Sequence, residues 1–420
     1  MDINNILKGL SCKCGKTHTC PIKYVYVESG AISKLSSVCA SYSRVLLVAD
    51  ENTFNAAGEA TLGALNGKSI NKVIFSGKEI LVPNEEAINT VTSNLGDAEI
   101  IVGIGSGVIQ DLCKYVSFYN DIPYIIVASA PSMDGYASSG AAMITDGMKV
   151  TYSAGLPLAI IGDVDVLKNA PIEMIKAGYG DIIGKLSALN DWKLSTLVNG
   201  EYFCDYIYDT TYSQIEANLK LAKGILERDE NSIKALMEAL VIIGIMMSFA
   251  GNSRPASGSE HHLSHFFEIT GIVNGEEYFS HGIDVAYSTV ITAGIREKLC
   301  SAPFPHALFR LSDSEYSSTM SDIYTEVSDG CIELQNKVGN YKMNRLPVYL
   351  EKEEEIKAIL SEVPTANEIM DMLSLVGLDM KDFYSLYSEE KLKNAILYAK
   401  DLKDRYTVLW LYYDLLGGKL

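Results

Sequence analysis

Over the first 165 positions, short runs of β-branched and aliphatic residues alternate with helical stretches, a pattern that predicts a βαβ parallel sheet. The expected strands are YVYV at 24–27, RVLLVAD at 44–50, KVIFSG at 72–77, EIIVGIG at 99–105 and YIIVAS at 124–129. Helices fit at about 31–42, 52–65, 84–95 and 107–119. Within 141–155, Asp146–Gly147 separates two short alternating runs, which signals a hairpin instead of a further crossover. From 163 onward the apolar period is helical, with amphipathic stretches near 171–197, 212–227, 231–250, 283–299 and 313–337 and shorter charged helices after them. The pattern predicts an α/β protein with an N-terminal parallel-sheet domain over 1–165 and a C-terminal all-helical domain over 166–420. No internal repeat or low-complexity linker separates them, so they are expected to pack tightly and leave a cleft for chemistry.

Composition changes this picture little. Of 420 residues, 48% are hydrophobic and 21% charged, as in an ordinary globular protein. The longest apolar runs, such as LVIIGIMMSFA at 240–250, fall short of the ~20 residues that span a bilayer, so no membrane segment is expected. The start, MDINNILKGL, lacks the basic residues and long apolar stretch of a secretory signal, which favours a cytoplasmic protein with reduced cysteines. The net charge of −18 argues against nucleic acid and anionic membranes as partners, and an anionic substrate then needs a local cationic or metal site.

Four of the six histidines lie in NSRPASGSEHHLSH at 252–265 and SHG at 280–282. Imidazole is costly to bury and packs poorly, so such gathering points to metal binding. Asp181, after GYG at 178–180, together with His261 and His281 has the mixed oxygen and nitrogen donors of a catalytic zinc site, although Asp181 could merely cap a helix. His261 and His265 are four apart and share a helical face; spacing leaves open which of them is the ligand. His262 lies off that face and reads as a core histidine, and His306 as a loop residue. Arg254 and Lys185 are the nearest cations in sequence, each as readily a structural ion pair as a phosphate contact.

Gly103, Gly105 and Gly107 make a turn from strand into helix, where unpaired amides and the helix dipole favour an anion. The G-x-G-x-x-G fingerprint is absent, so the domain is at most Rossmann-like, and a sterically required turn explains the glycines as well. Asp50, at a strand end, could accept from adenosine ribose hydroxyls and favour NAD over NADP, but capping the next helix is the simpler reading. In SAPSMDGYASSG at 129–140, turn chemistry explains all but Asp134, a carboxylate placed to hold a substrate hydroxyl.

These segments carry a resemblance. GSGVIQD at 105–111, APSMDG at 130–135, AGYGDIIGK at 177–185, SRPASGSEHHLSH at 253–265 and HG at 281–282 resemble the bacterial glycerol-1-phosphate dehydrogenases, within the superfamily of dehydroquinate synthases, glycerol dehydrogenases and iron-containing alcohol dehydrogenases. The resemblance runs over most of 22–300 and implies a dehydroquinate synthase-like fold with an NAD(P)-binding first domain and a metal- and substrate-binding second one. It implies Asp181, His261 and His281 as metal ligands, with Asp134 and His265 facing the substrate and Asp181 touching both. Cofactor contacts are implied for Asp50, for Gly107, Val108, Ile109, Gln110 and Asp111, for Ser129, Ala130, Pro131 and Ser132, and for Ser138. The implied cofactors are NAD(H), or NADP(H), and one divalent ion, nickel or zinc; imidazole suits either.

The activity so implied is metal-assisted reduction of dihydroxyacetone phosphate to sn-glycerol 1-phosphate by a homodimeric enzyme of phospholipid metabolism. A glycerol dehydrogenase or dehydroquinate synthase-like enzyme is the nearer alternative, and a non-catalytic NAD-binding regulator the more distant one. At the N-terminus, Cys12, Cys14, His18 and Cys20 could bind a second, structural zinc, but C-x-C leaves two thiolates little room on one ion and ordinary thiols are the simpler reading. The other cysteines, Cys39, Cys113, Cys204, Cys300 and Cys331, stand singly, as small buried apolar residues do.

Overall fold

The computed structural model describes residues 2–78, 81–145 and 148–419. A small hairpin, β1 (Leu10–Ser11) and β2 (Thr17–His18), precedes a sheet of six parallel strands. These are β3 (Tyr24–Glu28), β4 (Arg44–Asp50), β5 (Ser69–Phe75), β6 (Ile100–Gly105), β7 (Tyr124–Ala128) and, after the antiparallel pair β8 (Gly140–Thr145) and β9 (Met148–Ser153), β10 (Ala159–Asp163). The order across the sheet is β3-β10-β7-β6-β4-β5. Position in the sheet follows from composition. β6, β7 and β10 are buried at every residue and β4 at all but its ends, as strands covered on both faces must be, whereas β3 and β5 carry polar, exposed residues and form the edges.

The five expected strands all form, and β10 is an addition. Its five residues run straight into a helical turn capped by Asp163, so periodicity could not separate it from the helical region. The helix expected at 31–42 is only a 3₁₀ turn, Ala31–Lys34, and one α-turn, Leu35–Val38. Ser33, Ser36 and Ser37 donate to carbonyls three residues back, the local bonding by which serine competes with helix propagation. The expected hairpin pairs as β8 and β9; its Asp146–Gly147 turn lies outside the described residues.

Helices α1 (Glu51–Ala64), α2 (Glu85–Ser93) and α3 (Gly107–Tyr119) connect the sheet strands. From β4 the chain steps one way to β5, and from β6 it steps the other way to β7, so the strand order reverses between β4 and β6. Ligands of open α/β sheets bind at such a point, beyond the carboxyl ends of the strands. The main helices that follow are α4 (Ile172–Asn199), α5 (Asp205–Leu219), α6 (Glu230–Ala250), α7 (Ser259–Asn274) and α8 (His281–Cys300), with shorter ones to the C-terminus. The stretch expected as one helix over 212–227 breaks after Leu219 and resumes at Ala222–Leu226.

By compactness the chain forms two units, Met1–Ile182 with Glu216–Ser253 and Ile183–Ile215 with Arg254–Leu420; α4 and α5 each run unbroken from one set of residues into the other. In the first unit, α6 is long and apolar enough to cross a bilayer by length and composition, yet 78% of its most apolar window is buried, which is the character of a core helix. Gly244 of α6 packs against the main chain of Asp134 and Ala137. In the second unit the buried Asp191 of α4 accepts from Ser259 N at 2.6 Å, Val408 N at 2.9 Å and Arg296 Nη2 at 2.9 Å. One carboxylate thus ties α4 to the starts of α7 and the last helix and to α8. Removing one partner of a buried pair strands the other charge, so Asp191→Ala is expected to cost roughly 3–5 kcal/mol in urea unfolding; a loss under about 1 kcal/mol would show the network to be dispensable.

Candidate active site and metal centre

The glycine turn is a steric necessity at two positions. A Cβ at Gly105 would lie 2.5 Å from Ile109 Cβ, and one at Gly103 would lie 2.8 Å from Cys113 Sγ, so only glycines let α3 start directly against β6. Ser106, at the N-cap, makes no side-chain cap, and the first-turn amides of α3 are not capped from within the helix. One strand over, Asp50 Oδ1 accepts from Asn52 N at 2.8 Å and Thr53 N at 2.9 Å, and Thr53 Oγ1 accepts from Asp50 N. The capping reading of Asp50 therefore holds, and Oδ2 takes no part in the cap.

Several residues of α3 and of the loop after β7 hold each other. Gln110 is buried and donates to Tyr124 Oη at 3.1 Å and to the Tyr136 carbonyl at 3.2 Å; Asp111 Oδ2 accepts from Ala142 N at 3.1 Å. Ile109 is buried and Val108 packs against a small apolar cluster. Ser129 N donates to the Gly105 carbonyl, Tyr136 Oη to the Ala130 carbonyl, and Ser138 Oγ to the Gly135 carbonyl. The Ser132 hydroxyl is hydrogen-bonded to Tyr136. Lys114, which the sequence reading passed over, is the hub of this loop: its buried Nζ donates to the carbonyls of Gly135 at 3.1 Å and Gly140 at 2.7 Å and pairs with Asp111 at 3.3 Å. Burial pushes the Lys114 ammonium down while Asp111 holds it up. A lysine three residues after an aspartate on an otherwise apolar helix was the signal available.

Asp181 sits within α4, nine residues past its start, so it does not cap a helix. It is fully buried, and its Oδ2 accepts from Asp134 N at 2.9 Å. This contact depends on Gly178, one turn earlier, where a Cβ would overlap the Pro131 carbonyl oxygen. Asp134 is itself buried beside it.

The three histidines His261, His265 and His281 come together at the starts of α7 and α8. Ring centroids are 5.0 Å apart for His261 and His281, 5.7 Å for His265 and His281, and 6.3 Å for His261 and His265. Asp181, His261 and His281 each offer one ligand atom, and these atoms lie within 4.8 Å of one another; His265 is outside that group. Glu260, another residue the sequence reading missed, bonds His261 Nδ1 at 2.7 Å and accepts from Gly258 N at 2.9 Å. Its carboxyl is wholly buried, and burial pushes its pKa up against those hydrogen bonds. A carboxylate on Nδ1 fixes the imidazole of His261 through that nitrogen, as is common for histidines that bind metals through the other one. His262 is fully buried with neither ring nitrogen hydrogen-bonded among the described residues, and burial holds it neutral; His306 is exposed. Arg254 forms a two-pronged ion pair with Glu201, at 2.9 and 2.6 Å, and Lys185 is buried where its charge acts on Glu260.

A family model described as iron-containing alcohol dehydrogenase matches residues 26–171. The glycerol-1-phosphate dehydrogenase [NAD(P)+] of Halalkalibacterium halodurans is 28% identical over 97% of this chain and 98% of its own. That of Geobacillus thermodenitrificans is 33% identical over 67% of this chain and 71% of its own. The chain belongs to the glycerol-1-phosphate dehydrogenase family. Among solved structures, an iron-containing alcohol dehydrogenase from Thermococcus thioreducens superposes with a TM-score of 0.61 over 94% of this chain and 99% of that one, at 15% identity, so the likeness there is one of fold.

In this member of the family the Gly178 contact is directly testable. Gly178→Ala forces the loop carrying Asp134 away from α4 and is expected to cost about 1–3 kcal/mol, read as a lowered melting temperature. An unchanged melting temperature would mean that the loop yields without loss.

Proposed function

We propose that the chain catalyses the reversible NAD(P)H-dependent reduction of dihydroxyacetone phosphate to sn-glycerol 1-phosphate at a divalent metal held by Asp181, His261 and His281. The observation that supports this most is the meeting of one carboxylate and two imidazoles within 4.8 Å, in a chain whose relatives bear the name glycerol-1-phosphate dehydrogenase. The donor set fits such an ion: one oxygen and two nitrogens bind at about 2.0–2.2 Å and leave positions for substrate. A wholly buried Asp181 carboxylate also calls for a compensating positive charge. When bound, the metal supplies Lewis-acid polarisation of the substrate carbonyl and the nicotinamide supplies the hydride.

The residues of the chain bind, orient and move the proton. Asp134 orients Asp181 through its main-chain N–H, and its carboxyl is assigned to the substrate hydroxyl beside the carbonyl. His265, on the same face of α7 as His261, is assigned to holding and delivering the proton at the C2 oxygen. The uncapped amides of Gly107, Val108 and Ile109 suit a pyrophosphate, with Ser129, Ala130, Pro131, Ser132 and Ser138 beside it. Gln110 and Asp111 contribute by holding that loop. Asp50 Oδ2 suits ribose hydroxyls and repels a 2′-phosphate, which favours NAD over NADP.

NADH oxidation with dihydroxyacetone phosphate, after chelation and separate return of nickel or zinc, is expected to require one of these ions and to fail with unphosphorylated dihydroxyacetone. Activity on dihydroxyacetone alone would make the protein a glycerol dehydrogenase, and NADH binding without either activity would overturn the substrate. Glu260→Gln is expected to weaken metal retention about 10–100-fold in competition with a chelator. Unchanged retention would remove Glu260 from the metal centre.

A further inference from the structure

We infer that Cys12, Cys14, His18 and Cys204 form a second metal centre, a closed tetrahedral zinc site that secures the N-terminal hairpin. This inference is independent of the proposed reaction. Each of the four residues offers one ligand atom, and the four atoms lie within 4.8 Å of one another. Zinc takes sulfur at about 2.3 Å and nitrogen at about 2.0–2.1 Å, so donors of a filled site stand roughly 3.5 Å apart, a spacing that the 4.8 Å spread of this set encompasses. None of the eight cysteines is in a disulfide.

The local structure is built for it. The expected difficulty of C-x-C is removed by the β1–β2 turn, where Cys12 N donates to the Lys16 carbonyl at 2.9 Å and Gly15 N to the Cys12 carbonyl at 3.1 Å. Gly15, at φ +88°, lets the chain reverse so that both thiols reach one point. His18 is buried, stacks on Phe249, and bonds the Phe249 carbonyl through Nδ1 at 3.0 Å. A carbonyl can only accept, so Nδ1 carries the hydrogen and Nε2 the lone pair, and Nε2 lies 3.4 Å from Cys14 Sγ. Fixing a histidine through its other nitrogen is the usual preparation for metal binding. The sequence favours ordinary thiols here and offers Cys20 as the fourth member of the cluster, but the fourth ligand is not Cys20. Cys20 is buried, hydrogen-bonded to Ser248, and outside the group of four. The buried Cys204 takes the place, held at the start of α5 by its carbonyl accepting from Tyr208 N at 3.0 Å.

On loading, the ion displaces one proton from each of three thiols and takes the Nε2 lone pair, giving a centre of net charge −1 with no change of oxidation state. All four positions are filled by protein, so the site has no place for substrate and its role is structural. Its sulfur donors select a softer ion than the Asp, His, His set does, and the two centres can be distinguished on that ground.

The test is Co²⁺ and Zn²⁺ loading of the whole protein. Co²⁺ is expected to give an intense thiolate-to-metal charge-transfer band that Asp181→Asn retains and Cys204→Ser loses or shifts. Zinc analysis of the intact chain is expected to show one equivalent released by a thiol-modifying reagent, and that equivalent absent from Cys14→Ser but present in Cys20→Ser. A Co²⁺-loaded protein without a thiolate band, or an unchanged zinc equivalent in both Cys14→Ser and Cys204→Ser, overturns the inference. The spectrum of the unmutated chain decides even if a variant fails to fold.

Discussion

At Gly178 the helix α4 passes so near the loop after β7 that even a methyl group would strike the Pro131 carbonyl. That proximity lets the buried Asp181 meet the main chain of Asp134. The same helix is closely held further along. A Cβ at Gly184 would strike Val285, Ser187 bonds Ser259 and Thr292, and Asp191 gathers Ser259, Arg296 and Val408. Because a helix is stiff, with a rise of about 1.5 Å per residue, the contact at Gly178 sets where the carboxylate at 181, one turn on, points.

Polar groups in this protein are buried to hold other groups in position. Lys114 spends its three donors on two loop carbonyls and Asp111, and Glu260 bonds both Gly258 N and His261 Nδ1 through Oε1. Neither needs to touch a ligand to matter. A buried ammonium or carboxylate is tolerated when its partners are in place, and the same requirement makes each a rigid support for the loop or imidazole it bonds. Arg254 follows the rule too: paired with Glu201 and the Tyr406 carbonyl, it is an architectural cation.

The two clusters of side chains with the donor atoms to hold a metal differ in chemistry. Asp181, His261 and His281 present oxygen and nitrogen, with His265 close by but outside the ligand group. Cys12, Cys14, His18 and Cys204 present three sulfurs and one nitrogen. A three-ligand set leaves an ion reactive, whereas a four-ligand set closes it off.

The sequence by itself determined the elements whose signal is local. Five parallel strands could be read from short β-branched and aliphatic runs, the glycine turn before α3 from its spacing, and His261 and His265 as sharing a face from a separation of four. Those features depend only on backbone period and on residues adjacent in the chain. What depends on distant residues could not be read this way. The strand β10 is recognisable because it pairs with both β3 and β7, Asp181 lies mid-helix against a loop 47 residues earlier, and Cys204 replaces Cys20 in the thiol cluster. Lys114 and Glu260 escaped notice because a single charged residue looks the same in sequence whether it faces water or holds a loop. Only the folded chain supplies the partners that make their burial tolerable, and so only tertiary structure could decide what they do.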